Sequence, residues 1–391
     1  MAGLLLCSAL AGSVAAQASA PVPAGVQVEV WTMGPGPAVW ERFGHNAIVL
    51  YDPATASARA YDWGRFSFQQ EKFFLSFATG QMRYWMEGRD ADATLRAYAG
   101  AGRTVWRQRL DLAPAEAEAV AARVRANDTD ATRFYRYDYY RDNCSTRVRD
   151  LLDAVLGGQL RSALDTVPTG TSYRSHTRDL VRGDLPLYIG LQLLLGSPTD
   201  RPITAWEEAF LPMALMTHLD RATRRAPDGT AMPLLAVPRE ALVTGIYATE
   251  IAPARSALLP LGLFGLLLAA AVAAGAHAAS GWRLAPARSF AAITGVAGLL
   301  LWAAWLLTEH AVARSNPSVL VLSGLGVPLA LMVRKPGNVA RIIAAVVAAG
   351  TGVALVLAFA GRAALLDATA LVGPANLALA WVVHTRARRY P

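Results

Sequence analysis

Hydrophobic positions are distributed very unevenly along the chain. From residue 257 onward apolar runs dominate, at 257–279, 289–307, 318–333, 339–360 and 364–384, with short polar loops between them. A helix needs roughly 20 apolar residues to cross a bilayer, so these runs predict about five transmembrane helices, the third being the shortest. Before them lies a stretch with mixed patterning. β-branched and aromatic alternation predicts strands at 27–31, 47–51, 59–66 and 103–110. Turn chemistry at Gly34-Pro35-Gly36-Pro37 and Asp52-Pro53 separates them. An Ala/Glu-rich run behind Pro114 predicts a helix at 113–125. A second helix is expected at 144–156, where Asn143 is a good N-cap and Gly157-Gly158 a stop. Strands and helices mix without regular βα alternation, which favours an α+β domain. The first twenty residues, an apolar run ending in Ala18-Ser19-Ala20, resemble a secretory signal peptide. The expected organisation is therefore a leader at 1–20, an exported domain at 21–256 and an all-α membrane domain at 257–391.

Charge sharpens this picture. The 391 residues carry 37 Lys+Arg and 29 Asp+Glu, a formal net charge of +8. Residues 257–391 contain ten of the basic and two of the acidic side chains, so the whole excess sits in the apolar half. That is a membrane-orientation signal and argues against a nucleic-acid partner. Arg283, Arg288, Arg334, Lys335, Arg341, Arg386, Arg388 and Arg389 fall in alternate loops and in the tail, whereas the intervening loops hold only Arg314 and Arg362. Positive residues mark the cytoplasmic side, which predicts an external N-terminal domain and a cytoplasmic C-terminus.

Two cysteines occur, and Cys7 lies in the leader, which leaves Cys144 as the thiol of the exported domain. Unsatisfied N–H groups and the dipole at the start of a helix stabilise a thiolate, and Arg147 one turn on would add positive charge. Equally, such a residue can be a small buried packing group. The candidate base is His45 in FGHNAIVLYD, at the start of an apolar strand behind Gly44. Asp62 in AYDWGRF could orient it if 47–51 and 59–66 pair as a hairpin; otherwise it is an edge carboxylate. His176 and His218 read as surface or packing residues. There is no CxxC pair, HExxH, GxSxG or P-loop, so zinc hydrolases, serine hydrolases and nucleotide enzymes lack their chemistry here. No cofactor is expected. A third use of His45, Asp62 and Cys144, as a metal site, is the minor alternative.

Taken together, FGHNAIVLYD, YDWGRFSF, YYRDNCSTRVRDLLD, SYRSHTRDLV and LLLGSPTDRPITAWEEAFLP resemble the Lnb N-terminal periplasmic domain family of bacterial envelope proteins, over about 30–220. The loop TEHAVARSNPS is similar to the membrane extension of such proteins, with His310 and Asn316 at recurring positions. The order of His, polar residue and Cys is also similar to circularly permuted papain-like proteins, including NlpC-type amidases and lecithin:retinol acyltransferase relatives. That resemblance implies a permuted papain-like fold, with Cys144 as nucleophile, His45 as base and Asp62 as orienting residue. Relatives often carry Asn at the Asp62 position, which changes the charge there. The N–H of Cys144 and the side chain of Asn143 are expected to support an oxyanion, and His310 and Asn316 to line a lipid-facing entrance. The expected activity is an envelope thiol hydrolase or acyltransferase in the bacterial inner membrane, acting on an ester, thioester or amide of a lipid, lipoprotein or peptide. The alternative is a non-catalytic assembly or maturation factor that binds a secreted protein partner.

Overall fold

The computed structural model describes residues 25–226, 228–249, 257–277, 281–362 and 364–389. The leader at 1–20 lies outside them. Six strands form most of one antiparallel sheet: β1 (Gln27–Met33), β2 (His45–Asp52), β3 (Ser57–Arg65), β4 (Arg83–Asp90), β5 (Val105–Arg109) and β6 (Phe134–Arg136). A seventh strand, Glu240–Val243, completes the order Glu240–Val243, β5, β1, β2, β3, β4, β6. Four helices join them: α1 (Phe73–Thr79), α2 (Ala91–Gly100), α3 (Pro114–Asn127) and α4 (Cys144–Val155).

Both faces of the sheet are covered, which explains why HNAIVLYD reads as almost continuously apolar. Val28, Val30, Ile48 and Leu50 pack with Val120, Val124, Val148 and Leu152 of α3 and α4. On the other face Trp31, Met33, Ala47 and Val49 meet Leu95 and Tyr98 of α2. The strands at 27–31, 47–51, 59–66 and 103–110 and both helices appear where the patterning places them, within a few residues. The expected hairpin forms, with Ala47 opposite Asp62.

The helical region departs from the five-run reading. Among the described residues three helices are long and apolar enough to cross a membrane: Gly281–Leu307, Asn338–Phe359 and Leu365–Arg389. The first run condenses to the 16-residue helix Leu258–Ala273. The third breaks into the short pieces Pro317–Leu320 and Gly326–Met332. Close packing accounts for the break. A Cβ on Gly298 would lie 2.2 Å from the Leu322 oxygen, and one on Gly295 would lie 2.4 Å from the Val327 nitrogen. Small residues thus let the broken backbone press against the Ala285–Leu307 helix. Asn376 donates to the freed Val321 carbonyl at 2.9 Å and to Thr351 at 2.9 Å. Irregular backbone among apolar helices is tolerated where side chains satisfy it in this way.

The two regions interlock. Tyr188, in the apolar Leu185–Leu194 helix, donates to Asp367 at 2.6 Å. Thr79 at the end of α1 accepts from the Glu309 N–H at 2.8 Å, and Gln81 donates to the Glu309 carboxylate at 2.7 Å. The α+β domain therefore rests directly on the loop that follows Leu307.

Candidate active site

The site is built from β2, β3, β6 and the first turn of α4. Asn143 caps α4 with non-helical backbone, its Oδ1 accepting from the N–H groups of Ser145 and Thr146 at 2.9 Å each. This puts Cys144 at the first helical position, against the sheet. Asn143 Nδ2 donates to the Tyr139 and Phe210 carbonyls at 2.9 and 3.0 Å, so both ends of this amide are committed to holding the turn. Replacing Asn143 by Ala is expected to cost about 1 kcal/mol for the cap, plus about 1–3 kcal/mol for each carbonyl stranded in the interior. A lowered midpoint in thermal or denaturant unfolding checks this.

His45 opens β2 immediately after Gly44, whose φ of +79° suits glycine; a Cβ there would stand 2.9 Å from the Met33 oxygen. The His45 ring is hydrogen-bonded through Nε2 to Asp62 Oδ2 at 3.0 Å and lies beside Cys144, both standing within 4 Å of the point a Cβ on Gly64 would occupy. Asp62 is buried in mid-β3 and accepts from Arg65 Nε at 2.9 Å, with Arg89 at 3.6 Å. Burial alone would raise the Asp62 carboxyl, but the hydrogen bonds from His45 and Arg65 hold it below the usual carboxylate range. For His45, burial would depress basicity; Tyr98, Cys144 and the hydrogen bonds to Asp62 and Cys144 override it and raise the ring well above an ordinary imidazole. Burial would push the Cys144 thiol up, yet the neighbouring His45 charge and hydrogen bond and the Asn46 N–H bring it down. Both shifts run in the direction of a thiolate–imidazolium pair.

Three contributors escape a reading of the sequence. Arg65 shares the Asp62 face because β3 carries an extra residue at Gly64, where its register with β4 shifts between Trp63 and Arg65. Such a bulge breaks strict alternation, and Gly64, at φ +94°, has the backbone it needs. Gly64 also faces the reactive groups. The point its Cβ would occupy lies 3.7 Å from Cys144 Cβ, 3.8 Å from His45 Cε1 and 3.9 Å from the Tyr135 hydroxyl oxygen. Tyr135 is the third contributor. Among the described residues its buried hydroxyl has no hydrogen-bond partner, and burial, with the Cys144 charge second, pushes its pKa up, so it stays a donor. One tyrosine in YRYDYY gives no signal that singles it out.

The other expected residues are placed as follows. Arg147 is paired with Asp142, its guanidinium 4.2 Å above the Tyr135 ring. His310 Nε2 donates to the Phe77 carbonyl at 2.9 Å, and its ring stacks on Tyr139. Tyr137, in edge contact with Tyr139, continues that aromatic line to Tyr135. Asn316 is 1% exposed and lies elsewhere: its Nδ2 donates to the Leu193 and Leu194 carbonyls at 2.8 Å each, satisfying the end of the Leu185–Leu194 helix. His176 and His218 both bond Glu208, at 2.9 and 3.0 Å. Among the described residues no cluster of three His, Cys, Asp or Glu groups has metal-binding geometry.

Residues 19–179 match the Lnb N-terminal periplasmic domain family. No curated protein and no solved structure matches the chain. The match spans β1 to the helix Tyr173–Val181, and so includes His45, Asp62, Tyr135 and Cys144. The sequence match and the three apolar helices behind it agree: residues 19–179 are an Lnb N-terminal periplasmic domain, in a membrane-anchored envelope protein.

Proposed function

We propose that this protein is an envelope thiol hydrolase or acyltransferase whose nucleophile is Cys144. The observation that carries the reading is His45, hydrogen-bonded to a buried Asp62 and set beside a sulfur at the start of a capped helix. With Nε2 committed to Asp62, Nδ1 is the nitrogen left to exchange a proton with Cys144. The thiolate attacks the carbonyl carbon of an ester, thioester or amide, forming a C–S bond as the carbonyl electrons move to oxygen. The Cys144 N–H and the Tyr135 hydroxyl are the donors for that oxyanion. On collapse the C–O, C–S or C–N bond to the leaving group breaks, and the His45 imidazolium protonates it. Water or an amine then attacks the acyl-enzyme, gives its proton to His45 and releases the thiolate. The permuted papain-like arrangement, with the exported domain at 21–256, belongs to this reading.

A lipid or lipid-linked acyl donor fits best. α1 exposes Phe74 (74%) and Leu75 (61%), and its end is bonded to Glu309 and His310, just beyond the apolar Ala285–Leu307 helix. These side chains stand at the level where a span leaves the bilayer, as apolar interfacial anchors do. From α1, Phe73 stacks on Phe66, Phe66 on Tyr84 and Tyr84 on Tyr137, an apolar line running to the Tyr135 side of the thiol. Five crossings, with Leu258–Ala273 and the broken 318–333 segment as the two shorter ones, and a cytoplasmic Arg386–Arg389 tail complete the topology we infer.

The test is covalent. Full-length protein in detergent is mixed with a nitrophenyl acyl ester, quenched and digested. Wild type is expected to release a burst of nitrophenol close to one per chain and to carry the acyl group on the Cys144 peptide; Cys144→Ala shows neither. Ester turnover unchanged in Cys144→Ala removes the enzyme reading. If that variant also supports the protein's cellular role in full, the exposed aromatic face acts by binding a secreted partner.

A further inference from the structure

A second site lies at the opposite end of the helical region. The beginning of the Ala285–Leu307 helix and the end of the Gly326–Met332 helix leave a cavity of about 610 Å³, lined by Arg288, Arg334, Ser289, Trp282 and the apolar Ala292 and Leu331. The 23-residue helix that begins here ends at Leu307, beside the loop that carries α1. At 1.5 Å per residue its ends are about 35 Å apart, a bilayer's thickness, so this cavity and Cys144 sit on opposite faces.

Its charge is uncompensated. From residue 257 onward the chain has two acidic side chains, Glu309 and Asp367. Both are engaged on the Cys144 side, by Gln81 with Arg136 and by Tyr188 respectively. Arg288 spends Nε on the Ala330 carbonyl at 3.2 Å, while among the described residues Arg334 bonds through its own carbonyl, accepting from Arg386 at 3.1 Å. Among the described residues neither guanidinium has a carboxylate partner. Two planar guanidiniums lining one cavity suit a phosphate diester, which binds such forks bidentately. The remaining wall is apolar, and Leu331, 73% exposed, opens it to the lipid-facing side of the helices. Trp282, 74% exposed, stands at the rim with Arg283 over its ring, the position of an interfacial tryptophan.

We propose that this cavity binds an anionic phospholipid, its phosphate held between Arg288 and Arg334 and an acyl chain lying along Leu331. Basic pockets between membrane helices on the positively flanked side take such headgroups. This site is independent of the thiol chemistry proposed above.

Full-length protein in phosphatidylcholine micelles is titrated with phosphatidylglycerol, and retained lipid is counted by native mass spectrometry. Wild type is expected to hold one phosphatidylglycerol in preference to phosphatidylcholine by about tenfold or more, as two basic contacts imply. Arg334→Gln should remove most of that preference and Arg288→Gln/Arg334→Gln all of it. Arg341→Gln, a charge loss outside the cavity, should not. Because Arg288 also ties two helices together, the Arg334→Gln result decides if the double variant misfolds. Equal retention of both lipids by wild type, or the same preference in Arg334→Gln, overturns the proposal. Displacement of the lipid by millimolar inorganic phosphate also overturns it, in favour of a free-anion site.

Discussion

His45→Ala should slow acyl transfer to Cys144 by about 10²–10⁴-fold, the usual range for a lost general base. It should also change the shape of the pH profile. In the wild-type site the thiol is lowered and the imidazole raised, so the reactive pair fills the window between them. Activity should climb as pH rises through the lowered thiol value, and fall again where the raised imidazole loses its proton and can no longer protonate a leaving group. Removing the imidazole leaves a thiol for which burial is the leading influence. The acid limb should therefore move up, to the free-thiol range of about 8.5 or beyond, and the alkaline limb should vanish. Acylation rates across pH on both proteins check this; a His45→Ala limb at the wild-type position would show that the imidazole does not set the thiol.

Asp62 carries the second large effect, and two substitutions separate its roles. Asp62→Ala strands the partly buried Arg65 guanidinium and removes the orienting partner of His45. Breaking a buried pair costs about 3–5 kcal/mol. Glu87, 3.8 Å from Arg65, offers partial replacement, so the lower end is expected. Asp62→Asn keeps the shape and an acceptor but loses the charge that holds the imidazolium. It should fold with a smaller stability loss while turnover falls by up to about 10⁴-fold, as for the equivalent change in a serine triad. The pH dependence of stability has a definite sign. Because the folded carboxyl is depressed, its contribution is complete above the unfolded value of about 3.9 and is lost as pH falls through the lower folded value. Acid unfolding of Asp62→Asn should therefore be less steep than that of wild type. Equal activity of Asp62→Asn and wild type would reduce Asp62 to a packing role.

Much of the domain can be read from local signals. β-branched runs mark β1 and β2, Asn143 announces the start of α4, and the spacing of two strands brings Ala47 opposite Asp62. What stayed hidden depends on more than one segment. Arg65 reaches Asp62 only because a bulge at Gly64 shifts the face on which it emerges, and one glycine in a strand does not declare a bulge. Tyr135 is distinguished by an unpartnered hydroxyl beside the thiol, which composition cannot reveal among neighbouring tyrosines. The broken run at 318–333 is apolar enough to resemble a span. It bends because Gly295, Gly298 and Asn376, on two other helices, accept the close approach and satisfy the exposed backbone. α1 reads as one more apolar stretch until Glu309 and His310, more than two hundred residues later, are found bonded to its end.

The ultraviolet absorbance of the thiolate, followed through a pH titration of the full-length protein and referenced to Cys144→Ala, tests the central claim most directly. A thiolate signal from Cys144 that is already present near neutral pH and disappears only at clearly lower pH is the predicted result. A signal that first rises at or above the ordinary thiol range would contradict it, since the sulfur would then be a buried packing group with no reactive partner.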